Sequence, residues 1–227
     1  MDLRLLAMPE AQIIEAVSGF NARFGEMERA FWCLSVNSRA ELLDGRGLKV
    51  TETLVWTVKS WWGVQGVRAN TKTLMARALL QAVDWSPALF ADVSPVAPSG
   101  EKFACECVFA LVRQTRAAGV ARHELSLASK VLHWLLPYRI PAYDSYVCKS
   151  LGIRGAANHP EQAYREVAHE VLGAARIVTD GSWLGALEPR SAVRAFDKCL
   201  WWQGGGSSCI AAQVRDPWGV IDKLGLV

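Results

Sequence analysis

Apolar residues recur along the chain mainly at three- and four-residue intervals, the period of an α-helix. Pro9 opens a segment with Ile13, Ile14 and Val17 on one face, closing near Gly25; proline at the first helical position is a start signal. A second helix is predicted over 26–36. Leu54, Val55, Val58, Trp61 and Trp62 follow helical spacing, and a further helix is expected over 71–83. The stretch 94–100 (Ser-Pro-Val-Ala-Pro-Ser-Gly) is the clearest loop, and Ser99 can cap a following helix with an apolar face of Phe103, Cys107, Val108 and Leu111. Further helices are predicted over 124–136, 145–151, 160–174, 189–202 and 213–224. The only strand candidate is 48–51, and no internal repeat is present. The pattern predicts an all-α fold of about ten helices. It forms one unit over 1–227, with 94–100 as the divide if there are two lobes.

Composition narrows the class. The chain has 227 residues, 51% of them hydrophobic and 21% charged, so it can bury a core and is not a disordered tail. No run of about 18 apolar residues exists, and the first ten residues do not read as a signal peptide, so a cytoplasmic chain outside the membrane is expected. Most of its six cysteines sit in apolar helical contexts and read as reduced core residues. No Cys or His spacing matches a zinc site, so no metal and no cofactor are expected. The formal charge of +3 permits a polyanionic partner. Local charge says more: Lys59, Arg68, Lys72 and Arg77 have no acidic residue among them, and Arg113, Arg116, Arg122, Lys130 and Arg139 are opposed by Glu124 alone. Solvated helix faces would produce the same runs.

The chemistry concentrates in 124–153. Leu127, Val131, Leu132, Leu135 and Leu136 form an apolar stripe, and at about 100° per residue Lys130 lies away from it, with Trp134 one turn further along its own face. Pro137 and Pro141 end the helix and force an extended connection. Asp144 then falls at the N-cap of the next helix. An amine and a carboxylate delivered by such a turn can act on one substrate carbon, the amine as nucleophile and the carboxylate as stabiliser of a developing oxocarbenium ion. Taken alone, a lysine on a polar helix face is a solvated residue and an aspartate before a helix is a cap.

The residues Ser129-Lys130-Val131-Leu132, followed by Ile-Pro-Ala-Tyr-Asp-Ser-Tyr-Val-Cys-Lys-Ser-Leu-Gly-Ile over 140–153, resemble the active-site stretch of the helix-hairpin-helix DNA glycosylases. The closest flavour is the 8-oxoguanine glycosylase-like branch, whose prokaryotic members include proteins directed against phage DNA. The resemblance implies a two-lobed helical fold with a central cleft, in which Lys130 takes the place of the Schiff-base lysine and Asp144 that of the catalytic aspartate. The region 54–77 resembles the family's DNA-inserting loop, with Gln65 as the wedge, and 194–204 resembles its closing helix. Expected DNA contacts are Gln65, Arg68, Lys72, Arg122, His123 and Ser129. Base-pocket candidates are Trp61, Trp62, Trp134, Trp201 and Trp202, since an aromatic stacked on a base is worth about 1–3 kcal/mol.

There are departures. Gly119-Val120 stands where the family's hairpin carries a glycine-richer Leu-Pro-Gly-Val-Gly, which weakens the expected backbone cradle for a phosphate. Lys130 and Asp144 are 14 residues apart, closer than is usual in the family, and no four-cysteine iron–sulfur loop is present. The implied activity is removal of a modified base from double-stranded DNA by a monomer, on 8-oxoguanine or a related lesion, with lyase chemistry at Lys130. Three alternatives stand beside it: excision of a bulky glucosylated hydroxymethylcytosine from phage DNA, a non-catalytic DNA-binding module of the same fold, and an unrelated helical interaction protein.

Overall fold

In a computed structural model, the described residues are 3–45, 47–61, 70–90, 100–118, 124–178, 184, 187, 188, 191–208 and 217–226. They form an all-α fold. A 3-10 turn at Arg4–Ala7 precedes α1 (Glu10–Asp44), α2 (Lys49–Trp61), α3 (Thr71–Ala82) and a single turn, α4 (Pro87–Phe90). There follow α5 (Gly100–Ala117), α6 (Glu124–Leu135), α7 (Ser145–Ser150), α8 (Pro160–Ile177) and α9 (Ala192–Gln203). A second 3-10 turn at Gly206–Ser208 and α10 (Pro217–Asp222) complete the described elements.

Two sequence expectations are corrected. The two helices predicted on either side of Gly25 are one, α1. A glycine inside a helix costs only about 1 kcal/mol relative to alanine. The stripe Phe20, Phe24, Met27, Phe31 and Leu34 runs past it at helical spacing, every member buried, so burial wins. The strand candidate 48–51 instead opens α2. β-Branched Val50 and Thr51 suggested a strand, but their amides donate to the Glu41 carboxylate at 3.0 and 2.9 Å, which satisfies two first-turn N–H groups of a helix. The other predicted helices form, with ends shifted where they are described; the starts predicted at 189 and 213 lie outside the described residues. The loop 94–99 and the cap at Ser99 lie outside the described residues.

The chain divides into two compact units. Unit 1 is built from residues 1–23, 92–106 and 136–209. It holds the first 3-10 turn, α7, α8 and α9. Leu5 is fully buried on α8, where its amide donates to Glu170 Oε2 at 3.4 Å. Glu101 at the start of α5 pairs with His169 Nδ1 at 3.1 Å and Arg176 Nη2 at 3.2 Å, both on α8. Unit 2 is built from 24–91, 107–135 and 210–227. In it α2 packs on α3 and α6, with Leu54, Val58, Met75, Leu79 and Leu132 fully buried. Its last element, α10, returns to α1: Ile221 is buried and Trp218 Nε1 donates to Glu26 at 3.1 Å.

Candidate active-site lysine and aspartate

Lys130 stands on α6, in unit 2. The sequence pattern gave this helix one apolar face, but eleven of its twelve residues are buried, Ser126 being the exception. Lys130 itself is 4% exposed, so it is a core lysine and not a solvated one. The helix is fixed at both ends. Glu124 occupies its first turn, where a carboxylate suits the helix dipole, and lies 3.7 Å from Arg116. At the other end the Trp134 carbonyl accepts from Ser35 Oγ and from Arg39 Nη2, the latter at 3.2 Å. The Arg39 guanidinium lies over the Trp32 ring at 4.8 Å and the Phe90 ring at 5.6 Å.

Asp144 stands in unit 1 and is the N-cap of α7, as the spacing predicts. Its backbone is extended (φ −157°, ψ 179°), its Oδ1 accepts from the Val147 amide at 2.9 Å, and the residue is 9% exposed. The cap bond fixes the orientation of the carboxylate. The 136–144 connection that leads to it is largely buried. The Leu136 carbonyl accepts from the Arg139 and Ile140 amides at 3.0 Å, and Tyr164 Oη donates to the Pro141 carbonyl at 3.4 Å. Next to Asp144, Tyr143 Oη donates to the Ala156 carbonyl at 3.3 Å, and burial pushes its phenol well above the usual tyrosine range. Burial likewise raises the Cys148 thiol to about 11. Behind α7, Gly152 (φ 65°) ends the helix: its amide bonds the Lys149 carbonyl at 3.1 Å and the Ile153 amide bonds that of Cys148 at 2.9 Å. The Leu-Gly-Ile run therefore forms a Schellman cap.

The other candidates fall into three groups. Trp62, Gln65, Arg68, Arg122 and His123, and the side chain of Trp61, lie outside the described residues. Lys72 is exposed on α3. The remaining candidates are committed to packing. Ser129 is fully buried and donates to the Ser126 carbonyl at 3.1 Å, which removes it from the accessible surface. Trp134 is 2% exposed and lies flat on Phe31, centroids 4.9 Å apart. Trp201 is 5% exposed, with Phe20 and Tyr146 edge-on at 5.6 and 5.8 Å. Half-buried Trp202 approaches α1 so closely that a Cβ on Gly19 would lie 2.7 Å from its ring.

A buried charge cluster on α9 escaped the sequence reading. Lys198 pairs with Glu188 and donates to Asn21 Oδ1 at 2.6 Å; Arg194 pairs with Asp197. All four charged side chains are at most 4% exposed. The signal was faint: Val193, Phe196 and Leu200 mark one apolar face, and nothing local shows that the opposite, charged face is covered too.

Among the described residues no group of His, Cys, Asp and Glu could hold a metal ion, and no helix is long and apolar enough to cross a membrane. No family model matches the chain, and no curated protein or solved structure matches it significantly.

Proposed function

We propose that the chain is a DNA glycosylase that excises a modified base, 8-oxoguanine or a related lesion, with Lys130 as the nucleophile and Asp144 as the electrostatic partner. The observation that carries the reading is the burial of Lys130. An ammonium-bearing side chain in a core costs several kcal/mol that leucine or methionine would not. A core keeps such a group where it is paired, as Lys198 is with Glu188, or where it is used, and the glycosylase reading gives Lys130 a use. The capped carboxylate of Asp144 and the resemblance of 129–153 to the glycosylase active-site stretch support the same assignment. The central cleft that a flipped nucleotide would enter belongs to the same proposal, and extrusion of the base costs a few kcal/mol.

In this mechanism the C1′–N glycosidic bond breaks and its electron pair leaves with the base, which is protonated. Positive charge growing on the sugar is stabilised by the Asp144 carboxylate. The Nζ lone pair of Lys130 attacks C1′, and loss of a proton with ring opening gives a Schiff base. β-Elimination can then cut the strand.

The test is borohydride trapping on duplexes carrying an abasic site, 8-oxoguanine opposite cytosine, or glucosylated hydroxymethylcytosine. Lys130→Gln is expected to form no adduct, and Asp144→Asn to slow base release about a hundredfold or more. An adduct confined to the glucosylated duplex would move the substrate to modified phage cytosine. Salt-sensitive duplex binding with no base released would leave a DNA-binding module. Full activity of Lys130→Gln would sink the Schiff-base mechanism.

A further inference from the structure

We infer that α9 is the strut that positions Asp144, with Ser191 and Gly204 as the positioning residues at its two ends. What Asp144 does rests on the glycosylase reading; how it is held does not.

The buried hydroxyl of Ser191 makes two bonds. Its Oγ accepts from the Arg194 amide at 3.0 Å, capping α9, and donates to the Pro137 carbonyl at 2.8 Å. One atom thus joins the start of α9 to the entry of the connection that leads to Asp144. At the far end Gly204 closes α9. A Cβ there would lie 2.0 Å from the Tyr146 carbonyl oxygen and 2.6 Å from its carbon, far inside any real contact. Both are backbone atoms, so no rotamer change can relieve the clash. Tyr146 is in the first turn of α7, between Asp144 and the Val147 amide that Asp144 caps. The Tyr146 ring also meets Trp201 of α9, centroids 5.8 Å apart.

The stretch from Pro137 to Tyr146 is therefore tied at both ends to one rod of twelve residues, about 18 Å long. The rod is braced by the buried pairs Arg194–Asp197 and Lys198–Glu188. A carboxylate that must meet charge developing on a sugar needs such bracing, because misplacement by about 1 Å can cost about a hundredfold in rate. The tie also explains how α7, only six residues long, holds its cap: its geometry is imposed by α9 as well as by its own hydrogen bonds.

The test combines two readouts on Ser191→Ala, Ser191→Thr and Gly204→Ala in the full chain. Amide hydrogen exchange of the free protein reports the Val147 cap bond without any substrate, with Val171 in the middle of α8 as internal reference. Single-turnover base release, beside the Kd for a duplex carrying an uncleavable abasic-site analogue, reports function. In both alanine variants Val147 is expected to exchange about fivefold to tenfold faster with Val171 unchanged. Base release is expected to slow about tenfold to a hundredfold with the Kd within about twofold. Ser191→Thr, which keeps the hydroxyl, should restore both. Unchanged protection of Val147 in both alanine variants would overturn the inference, as would an equal rise at Val171 or a Ser191→Thr protein as defective as Ser191→Ala. If the wild type releases no base from any duplex, the glycosylase reading fails while the exchange data still decide whether α9 is the strut.

Discussion

Cys199 lies fully buried in unit 1 with its sulfur 3.8 Å from that of Met8, and burial raises its thiol from 9.0 to about 12. Below pH 9 the thiol is protonated in both folded and unfolded chains. Between pH 9 and about 12 the unfolded chain ionises and the folded one holds its proton. The folded state then binds more protons, so stability falls as pH rises through that window. In urea titrations at pH 8, 9.5 and 11 the wild-type midpoint should fall more steeply than that of Cys199→Ala, whose own loss of about 1 kcal/mol is independent of pH. Parallel slopes would show that the thiol ionises equally in both states. At this scale the sequence was informative where a side chain acts on its own neighbours. Asp144 was readable as a cap because the bonded amide is three residues away. The burial of Lys130 was not, because what encloses its helix comes from distant segments: Phe31, Ser35 and Arg39 hold its C-terminal end from about a hundred positions upstream.

Among the described elements, α9 carries a costly interior. Its paired charges give up hydration, and such a pair does not in general stabilise more than a well-packed apolar pair would. Removing one partner is another matter, since it strands the other in the core. Lys198→Met is expected to destabilise by about 3–5 kcal/mol, whereas Lys198→Met combined with Glu188→Leu should regain most of that loss. Urea unfolding of the three proteins checks this; a single variant as stable as the wild type would mean that water reaches Glu188. The helix was legible from its apolar spacing, and the end of α6 from Pro137 and Pro141. The continuity of α1 across Gly25 was not, because a glycine is a local stop signal that a longer buried stripe overrides. The start of α2 was misread for a related reason: Glu41, which caps it, is nine residues from Val50 and carries no local signal.

For the whole molecule, each unit is assembled from three separated pieces of chain. Unit 2 recruits 210–227, whose α10 reaches α1 through Trp218 and buries Ile221. Ending the chain after Ser208 should therefore destabilise unit 2 by about 2–3 kcal/mol, roughly the burial of one large apolar side chain, and lower its urea midpoint. An unshifted midpoint would show that α10 is dispensable. Which segments share a unit depends on contacts between remote stretches, and periodicity does not encode those. The interleaving has a consequence for biosynthesis. At ribosomal rates of about 5–20 residues per second, the apolar stripe at the start of α1 leaves the ribosome roughly ten to forty seconds before the last piece of either unit. Phe20 must wait for α9, and Phe31 for α6, with their faces uncovered, so nascent chains of this protein should be clients of the chaperones that shield such surfaces.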